Sequence, residues 1–223
     1  MELRNAVQSR RSIRSFLKDP IPEQLVNEII FEARWAQSWG NTQPWEVKVI
    51  CGDPLERFKN RNTEAFLSGN KPNPDIPMPV PEKWPDLLRD RYNDVGRSVL
   101  DALSISRDDH GARAAYYAQM YSFFYAPALM LITMERNLPQ AYAMLDVGCF
   151  LQTFCLSAHD RGLGVCVLGA AVRFPNIARE LFSIPESKVV VIGAGLGRPD
   201  HKAPVNRFER KREDLQEFVQ WLK

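Results

Sequence analysis

Hydrophobic residues recur along the first fifty residues with two different spacings. After Pro22, apolar side chains within residues 25–33 return every three or four positions, which predicts an amphipathic helix. Within residues 45–49, tryptophan and valine alternate with glutamate and lysine, which predicts a half-buried strand. The chain is therefore expected to start with a helix followed by a strand.

Three later segments are more continuously apolar. Residues 128–134 and 188–193 are short apolar runs, which are typical of inner strands. Residues 138–159 are largely apolar on every face, which predicts a helix in the middle of the fold. Helical spacing also covers residues 86–103, 108–125 and 215–222. Because helices outnumber strands, we expect an α+β sandwich with a small sheet between helical layers.

A proline-rich segment interrupts this pattern, with six prolines within residues 71–85. Each proline removes a backbone donor and restricts its predecessor, so neither a helix nor an inner strand can form there. A disordered linker and an ordered flap over a site both fit. Trp84 and Met78 favour docking of the segment on the protein. We expect residues 1–223 to form one domain with this surface excursion at about 70–85.

Charge and composition limit the classes of function. Basic residues (29) nearly balance acidic residues (27), leaving +2, which speaks against bulk nucleic-acid or membrane-surface binding. No apolar stretch reaches about 18 residues, and residues 1–5 lack the apolar core of a signal peptide, so we expect a cytoplasmic protein. The four cysteines form no CxxC pair and lack histidine partners, so we expect reduced thiols and no metal.

Four segments combine residue types suited to a ligand. Residues 10–16 hold three arginines, whose guanidinium groups match phosphate oxygens, and residues 207–212 add four cations. Residues 38–45 join a helix to a strand through Ser, Asn, Thr and Gln, which can hydrogen-bond a planar polar ligand. Residues 162–170 contain three glycines, which permit close backbone approach. Taken singly, the two basic segments also fit a solvated surface, and residues 38–45 fit an ordinary turn. Residues 162–170 also fit a helix cap before a buried strand.

A glycine-rich stretch at residues 193–197 does not predict a dinucleotide site. Its spacing is GxGxG rather than GxGxxG, and Arg198-Pro199 interrupts the helix that would bind the pyrophosphate. The sequence also contains no P-loop, no G-x-S-x-G elbow and no H-E-x-x-H. No conventional nucleophile or acid–base pair is therefore predicted.

Five marks, in this order, resemble the FMN-dependent nitroreductase family over nearly the whole chain. They are R-R-S-I-R-S-F from residue 10, N-T-Q-P-W from 41, R-G-L-G-V-C-V-L-G-A from 161, G-L-G-R-P-D from 195 and R-K-R-E-D-L from 210. The resemblance implies a three-layer α/β/α sandwich with a small, mainly antiparallel sheet and a long central helix. It also implies an obligate homodimer with two sites at its interface.

The resemblance further implies which residues hold FMN. The N-terminal and tail arginines would meet at its phosphate and ribityl chain, the loop at 38–43 would reach the flavin from the partner subunit, and Arg14 would tune the redox behaviour of the ring. Trp39 stands where small residues are common in the family, so we expect it to line the substrate pocket. The implied contacts are Arg10, Arg11, Ser12, Arg14, Ser38, Asn41, Gln43, Val167, Leu168, Gly169, Arg210 and Arg212.

The function implied by the resemblance is that of an NAD(P)H-dependent oxidoreductase. In a ping-pong cycle, the nucleotide would reduce the flavin at N5, and a nitroaromatic or quinone-like acceptor would then take its place. Flavin reduction and reductive dehalogenation occur on the same fold and remain alternatives. A flavin-binding carrier or sensor without turnover is another alternative. No nucleic-acid or membrane partner is expected.

Overall fold

A four-stranded antiparallel sheet lies between two layers of helices. The computed structural model describes residues 1–77 and 79–223. The strands are β1 (Glu46–Cys51), β2 (Ala128–Glu135), β3 (Gly164–Leu168) and β4 (Lys188–Gly197). The helices are α1 (Leu3–Ser9), α2 (Glu23–Ala33), α3 (Gly52–Leu67), α4 (Asp86–Ala102), α5 (His110–Tyr121), α6 (Gln140–Asp160) and α7 (Pro175–Phe182).

The strand order β1-β2-β4-β3 leaves β3 at one edge of the sheet. In the register, Val49 lies opposite Met130 and Val165 lies opposite Leu196. The inner strand β2 is buried from Ala128 to Met134, as expected for a strand covered on both faces. The predicted α+β sandwich with a small antiparallel sheet is confirmed.

Alternate residues of β2 point into two separate cores. Met130 and Ile132 pack with Phe150 and Phe154 of α6 on one face. Leu129 and Leu131 pack on the other face, where α3, α4, α5 and α7 are among the elements that contribute apolar side chains. This arrangement produces the three layers. One apolar side of α6 faces the first of these cores, so α6 is the long central helix that the sequence predicted, although it is not buried on every face.

Within the described residues, α6 is the helix long and apolar enough to cross a membrane by length and composition. Its residues Phe154 and Ala158 are fully buried in the protein core, however. The central helix of a globular domain meets the same criteria.

Other predicted boundaries differ from the structure. The helix expected over 108–125 begins at His110, where Asp109 Oδ1 accepts a hydrogen bond from the amide of Ala112 (2.8 Å). It ends at Tyr121 because residues 123–125 all adopt left-handed φ angles of 52–57°. The helix predicted over 215–222 is wrong, since only a 3₁₀ turn at Leu215–Glu217 forms there. Helices α3 and α7 were not predicted.

The proline-rich excursion is anchored to the sheet through Asp75. One carboxylate oxygen of Asp75 accepts hydrogen bonds from Arg179 (2.5 Å) and from the amide of Val190 (2.7 Å), and the other accepts one from Arg136 (3.1 Å). Trp84 stacks on Tyr92 of α4, with ring centroids 5.5 Å apart. These contacts favour the ordered alternative over a linker. Met78 lies outside the described residues.

Candidate functional site

The N-terminal segment runs along the free edge of β3. The amide of Ile13 donates to the carbonyl of Val165 (3.0 Å), and Ser12 forms a parallel bridge to the same strand. A Cβ at Gly164 would lie 2.4 Å from the side chain of Ile13, so this approach requires glycine. The pairing covers an exposed strand edge and holds residues 10–14 beside it.

The buried side chain of Asn206 joins the N-terminal segment to the tail. Asn206 Oδ1 accepts from the amide of Arg14 (2.8 Å), while Nδ2 donates to the carbonyls of Ser15 (2.8 Å) and Asp200 (2.9 Å). One amide thus fixes two loops that are almost 200 residues apart in sequence. Asn206 was not predicted.

Two arginines strengthen the same junction through backbone carbonyls. Arg210 donates to the carbonyl of Gln8 (2.5 Å) and to that of Arg10, and Arg11 donates to the carbonyl of Phe208. Their positive charges remain available to a ligand because their acceptors are neutral. The structure therefore brings the two basic segments together, as the resemblance implied.

These segments enclose a cavity of about 670 Å³ lined by Arg10, Arg11, Ser12, Arg14, Arg210 and Arg212. Within residues 1–77 and 79–223, no carboxylate lies within 4.0 Å of these five guanidinium groups. Burial and the charge of Arg14 lower the pKa of Arg11. Burial and the neighbouring arginines, chiefly Arg11, likewise lower the pKa of Arg210. A partly buried cluster of like charges is stabilised by an anion.

His159 at the end of α6 experiences the same positive field. Its Nε2 lies 2.7 Å from the hydroxyl of Ser9, which itself donates to the carbonyl of Asn5 (2.6 Å). Because that hydroxyl hydrogen is already used, Nε2 is the donor to Ser9. Burial, followed by the charges of Arg10 and Arg210, lowers the pKa of His159. The cluster thus lies at the carboxyl end of α6.

Arg14 lies on the side of the cavity that faces α5. Its guanidinium carbon is 5.8 Å from the centroid of the Phe208 ring. Burial raises the pKa of Tyr116 to about 12 and that of Cys166 to about 11, and the charge of Arg14 opposes both shifts. Both groups stay protonated near neutral pH, so neither is placed to act as a base or nucleophile.

The backbone at the end of β3 is partly open. Val167 is 42% exposed, whereas Cys166 and Leu168 on either side of it are buried. Gly169 then begins a 3₁₀ turn that ends at Val172. A flat ligand can therefore approach the segment from the side of Val167, which shares a sheet face with Val165.

The loop at residues 38–43 is fixed at the opposite half of α6. Its anchor is Asp146, a buried residue whose Oδ1 accepts from the amide of Trp39 (3.0 Å). The hydroxyl of Ser38 accepts from the amide of Gln43 (3.0 Å), and Gln43 Nε2 donates to the carbonyl of Asn41 (3.1 Å). Trp39 is 69% exposed and lines a second cavity of about 400 Å³.

Comparison with known proteins identifies the family of this chain. A model of the nitroreductase family matches residues 7–198. The chain belongs to the nitroreductase family. A 4-nitrobenzoate reductase of Pseudomonas putida is 33% identical over 97% of this chain and 93% of the relative. A nitrobenzene nitroreductase of Ectopseudomonas oleovorans is 33% identical over 97% of this chain and 95% of the relative.

A solved nitroreductase has almost the same backbone. The FMN and NADPH-dependent nitroreductase NfnB from Sphigopyxis sp. strain HMH superposes with a TM-score of 0.96, covering 100% of both chains at 27% identity. The three-layer arrangement seen here is therefore the nitroreductase fold.

Two of the three groups of predicted site residues in this nitroreductase lie at opposite halves of α6 in one protomer. The arginine cluster lies near His159, whereas the loop of Ser38, Asn41 and Gln43 is tied to Asp146, thirteen residues earlier on α6. At 1.5 Å per residue, that separation is about 20 Å. Within one chain, the loop and the arginines therefore do not meet. Asp146, which anchors the loop, was not predicted from the sequence.

Proposed function

We propose that this nitroreductase binds FMN and uses NAD(P)H to reduce nitroaromatic or quinone-like acceptors. The observation that carries the proposal is the group of five guanidiniums around one cavity, without a carboxylate partner among the described residues. The family membership and the activities named for the similar proteins support it.

The residues present fit a flavin with one terminal phosphate. Arg10, Ser12 and Arg212 would hold the phosphate, because guanidinium and hydroxyl donors converge there. The backbone at Val167 to Gly169 would lie along the ring. When bound, FMN supplies the redox chemistry by accepting electrons from NAD(P)H and passing them to the acceptor.

The protein's own side chains would then bind and orient rather than react. Arg14 is a fixed cation beside the cavity, and we propose that it stabilises negative charge that develops on the reduced ring. Trp39, exposed at the mouth of the second cavity, would line the acceptor pocket from the partner subunit. Per two electrons, a nitro group and NAD(P)H with one proton give a nitroso group, NAD(P)⁺ and water.

We further propose a homodimer in which the partner supplies the loop of Ser38, Asn41 and Gln43. Tyr142 and Leu145 form an exposed apolar stripe on α6, with 61% and 64% of their surfaces accessible. Two copies of α6 that pack antiparallel would place the Asp146 end of one beside the His159 end of the other. Each arginine cluster would then meet a loop from the other subunit.

Replacing Leu145 by lysine is expected to dissociate this dimer, because an unpaired ammonium would be buried at its centre. The matched control is Leu67→Lys at the end of α3, where the leucine is 66% exposed. Sedimentation velocity at micromolar concentration should show dimers for the wild type and the control, and monomers for Leu145→Lys. An FMN-loaded wild-type monomer would contradict the proposed assembly.

The activity is tested with purified protein loaded with FMN. We expect a yellow protein whose flavin band is bleached by NADPH or NADH without oxygen, and whose colour returns on adding 4-nitrobenzoate or nitrobenzene. A protein that binds FMN but is not reduced by either nucleotide would be a carrier, and the proposed activity would be rejected. Failure to bind FMN would reject the cofactor as well.

We also propose that the protein acts in the cytoplasm. Its apolar helix α6 packs one side on the core, and the similar proteins named above are bacterial enzymes that act on small aromatic compounds. Cell fractionation with an antibody against the chain would test this location.

A further inference from the structure

Helix α4 forms the outer wall of the arginine cavity. Arg91, Val95 and Ser98 lie one turn apart and line the same cavity as Arg10 and Arg14. Arg91 Nε donates to a carboxylate oxygen of Glu213 in the tail (2.9 Å). Within the described parts of the chain, the terminal amino groups of Arg91 have no acceptor. Arg91 therefore holds a carboxylate with only part of its donor set.

The cavity has more positive charge than one phosphate neutralises. Seven cationic and three acidic side chains line the cavity, so the lining has a net charge of +4. A phosphate monoester contributes about two negative charges at neutral pH, so an excess of about two remains. This excess lies on the arginines that have no carboxylate partner among the described residues, and it favours a second anionic group in the cavity that Arg91 also lines.

Apolar surface adjoins Arg91. Val95 follows it by one turn, and Phe208 and Phe218 also line the cavity. Leu88 and Tyr92 continue an apolar stripe along α4, with 43% and 58% of their surfaces exposed. A cation beside apolar and aromatic walls suits a ligand in which an aromatic ring carries an anionic substituent.

We propose that Arg91 binds the carboxylate of the acceptor, so that the substrates of this enzyme are nitroaromatic carboxylic acids. The inference rests on the proposed function and assigns its substrate class. Glu213 occupies Arg91 when no acid is bound, and the incoming carboxylate displaces it. A carboxylate fits because the observed partner of Arg91 is itself a carboxylate. A neutral nitroaromatic compound has no anionic group that could replace Glu213 at Arg91.

The first test is binding of benzoate, which has the carboxylate but no nitro group, to the FMN-loaded protein by calorimetry. Arg91→Gln should weaken benzoate binding about ten- to a hundredfold, as expected for loss of one charge-assisted contact. Glu213→Gln should strengthen it, because the competing carboxylate is gone. Benzamide, the neutral analogue, should be insensitive to both changes.

The matched control is Arg89→Gln. Arg89 lies on the same helix, is half exposed and pairs with Asp86 (2.9 Å). The second test compares kcat/KM for 4-nitrobenzoate with kcat/KM for nitrobenzene. Arg91→Gln should reduce this ratio about ten- to a hundredfold, while Arg89→Gln should leave it unchanged.

Three results would overturn the inference. They are unchanged benzoate binding in Arg91→Gln, loss of FMN with a wild-type substrate ratio when the cofactor is saturating, and a changed NADPH-to-NADH preference with an unchanged acceptor ratio. Benzoate binding that depends on Arg91, in a protein that reduces no nitroaromatic compound, would support the carboxylate site and overturn the proposed activity alone.

Discussion

Replacing Arg10 by glutamine is expected to weaken FMN binding about ten- to a hundredfold, the effect of removing a charge-assisted contact. The same change should leave the FMN-free protein at least as stable as the wild type, because Arg10 adds repulsion to its cluster. Burial and Arg10 together lower the pKa of His159. Removing Arg10 should therefore raise that pKa, which can be followed by NMR titration of the imidazole.

Flavin titration and chemical unfolding of the FMN-free protein measure these two effects separately. Arg4→Gln on α1 is the control, since Arg4 is exposed and lies outside the cavity lining. Should Arg10→Gln lose affinity and stability together, Arg10 would be a structural residue. Unchanged FMN affinity would show that the cluster is a solvated cationic surface and does not bind the FMN phosphate.

Replacing Asp75 by alanine is expected to lower the free energy of unfolding by about 3–5 kcal/mol, the usual cost of breaking a buried ion pair. The side chains of Asp75 and Arg179 are 11% and 7% exposed, so the guanidinium would remain buried without its partner. The amide of Val190 would also lose its acceptor. Urea unfolding followed by tryptophan fluorescence measures the change.

The control for Asp75 is Glu180→Gln on α7. Glu180 pairs with Arg61 at 2.7 Å, but the two side chains are 67% and 40% exposed, so the expected loss is below about 1 kcal/mol. Equal losses in the two variants would show that the proline-rich excursion contributes little to stability. A large loss confined to Asp75→Ala would show that the excursion is part of the folded unit.

The elements that the sequence predicted are those whose pattern reflects local burial. Helices α2 and α6 and the inner strand β2 bury continuous apolar faces, so their spacing alone was sufficient. The end of α5 could not be predicted, because three successive left-handed residues without glycine are held by their tertiary surroundings. The helix predicted over residues 215–222 does not form, for another reason. Its apolar residues Leu215 and Trp221 are 70% and 82% exposed, so its own protomer offers them no surface.

The candidate site shows the same division. The arginines could be predicted because clustered cations form a local pattern. Asn206, Asp146 and Asp75 each bind at least one partner that is distant in sequence, with separations of 192, 107 and 104 residues. A single polar residue has no periodicity, so the adjacent sequence does not show that its buried side chain joins two distant segments.

The separation of the loop and the arginine cluster along α6 has a genetic consequence. In the proposed dimer, a chain altered at Arg10 and a chain altered at Asn41 would each be inactive as a homodimer. A mixed dimer would collect both defects in one of its two sites and leave the other with an intact cluster and an intact loop. Two defective alleles expressed together would therefore complement each other and restore activity in the cell.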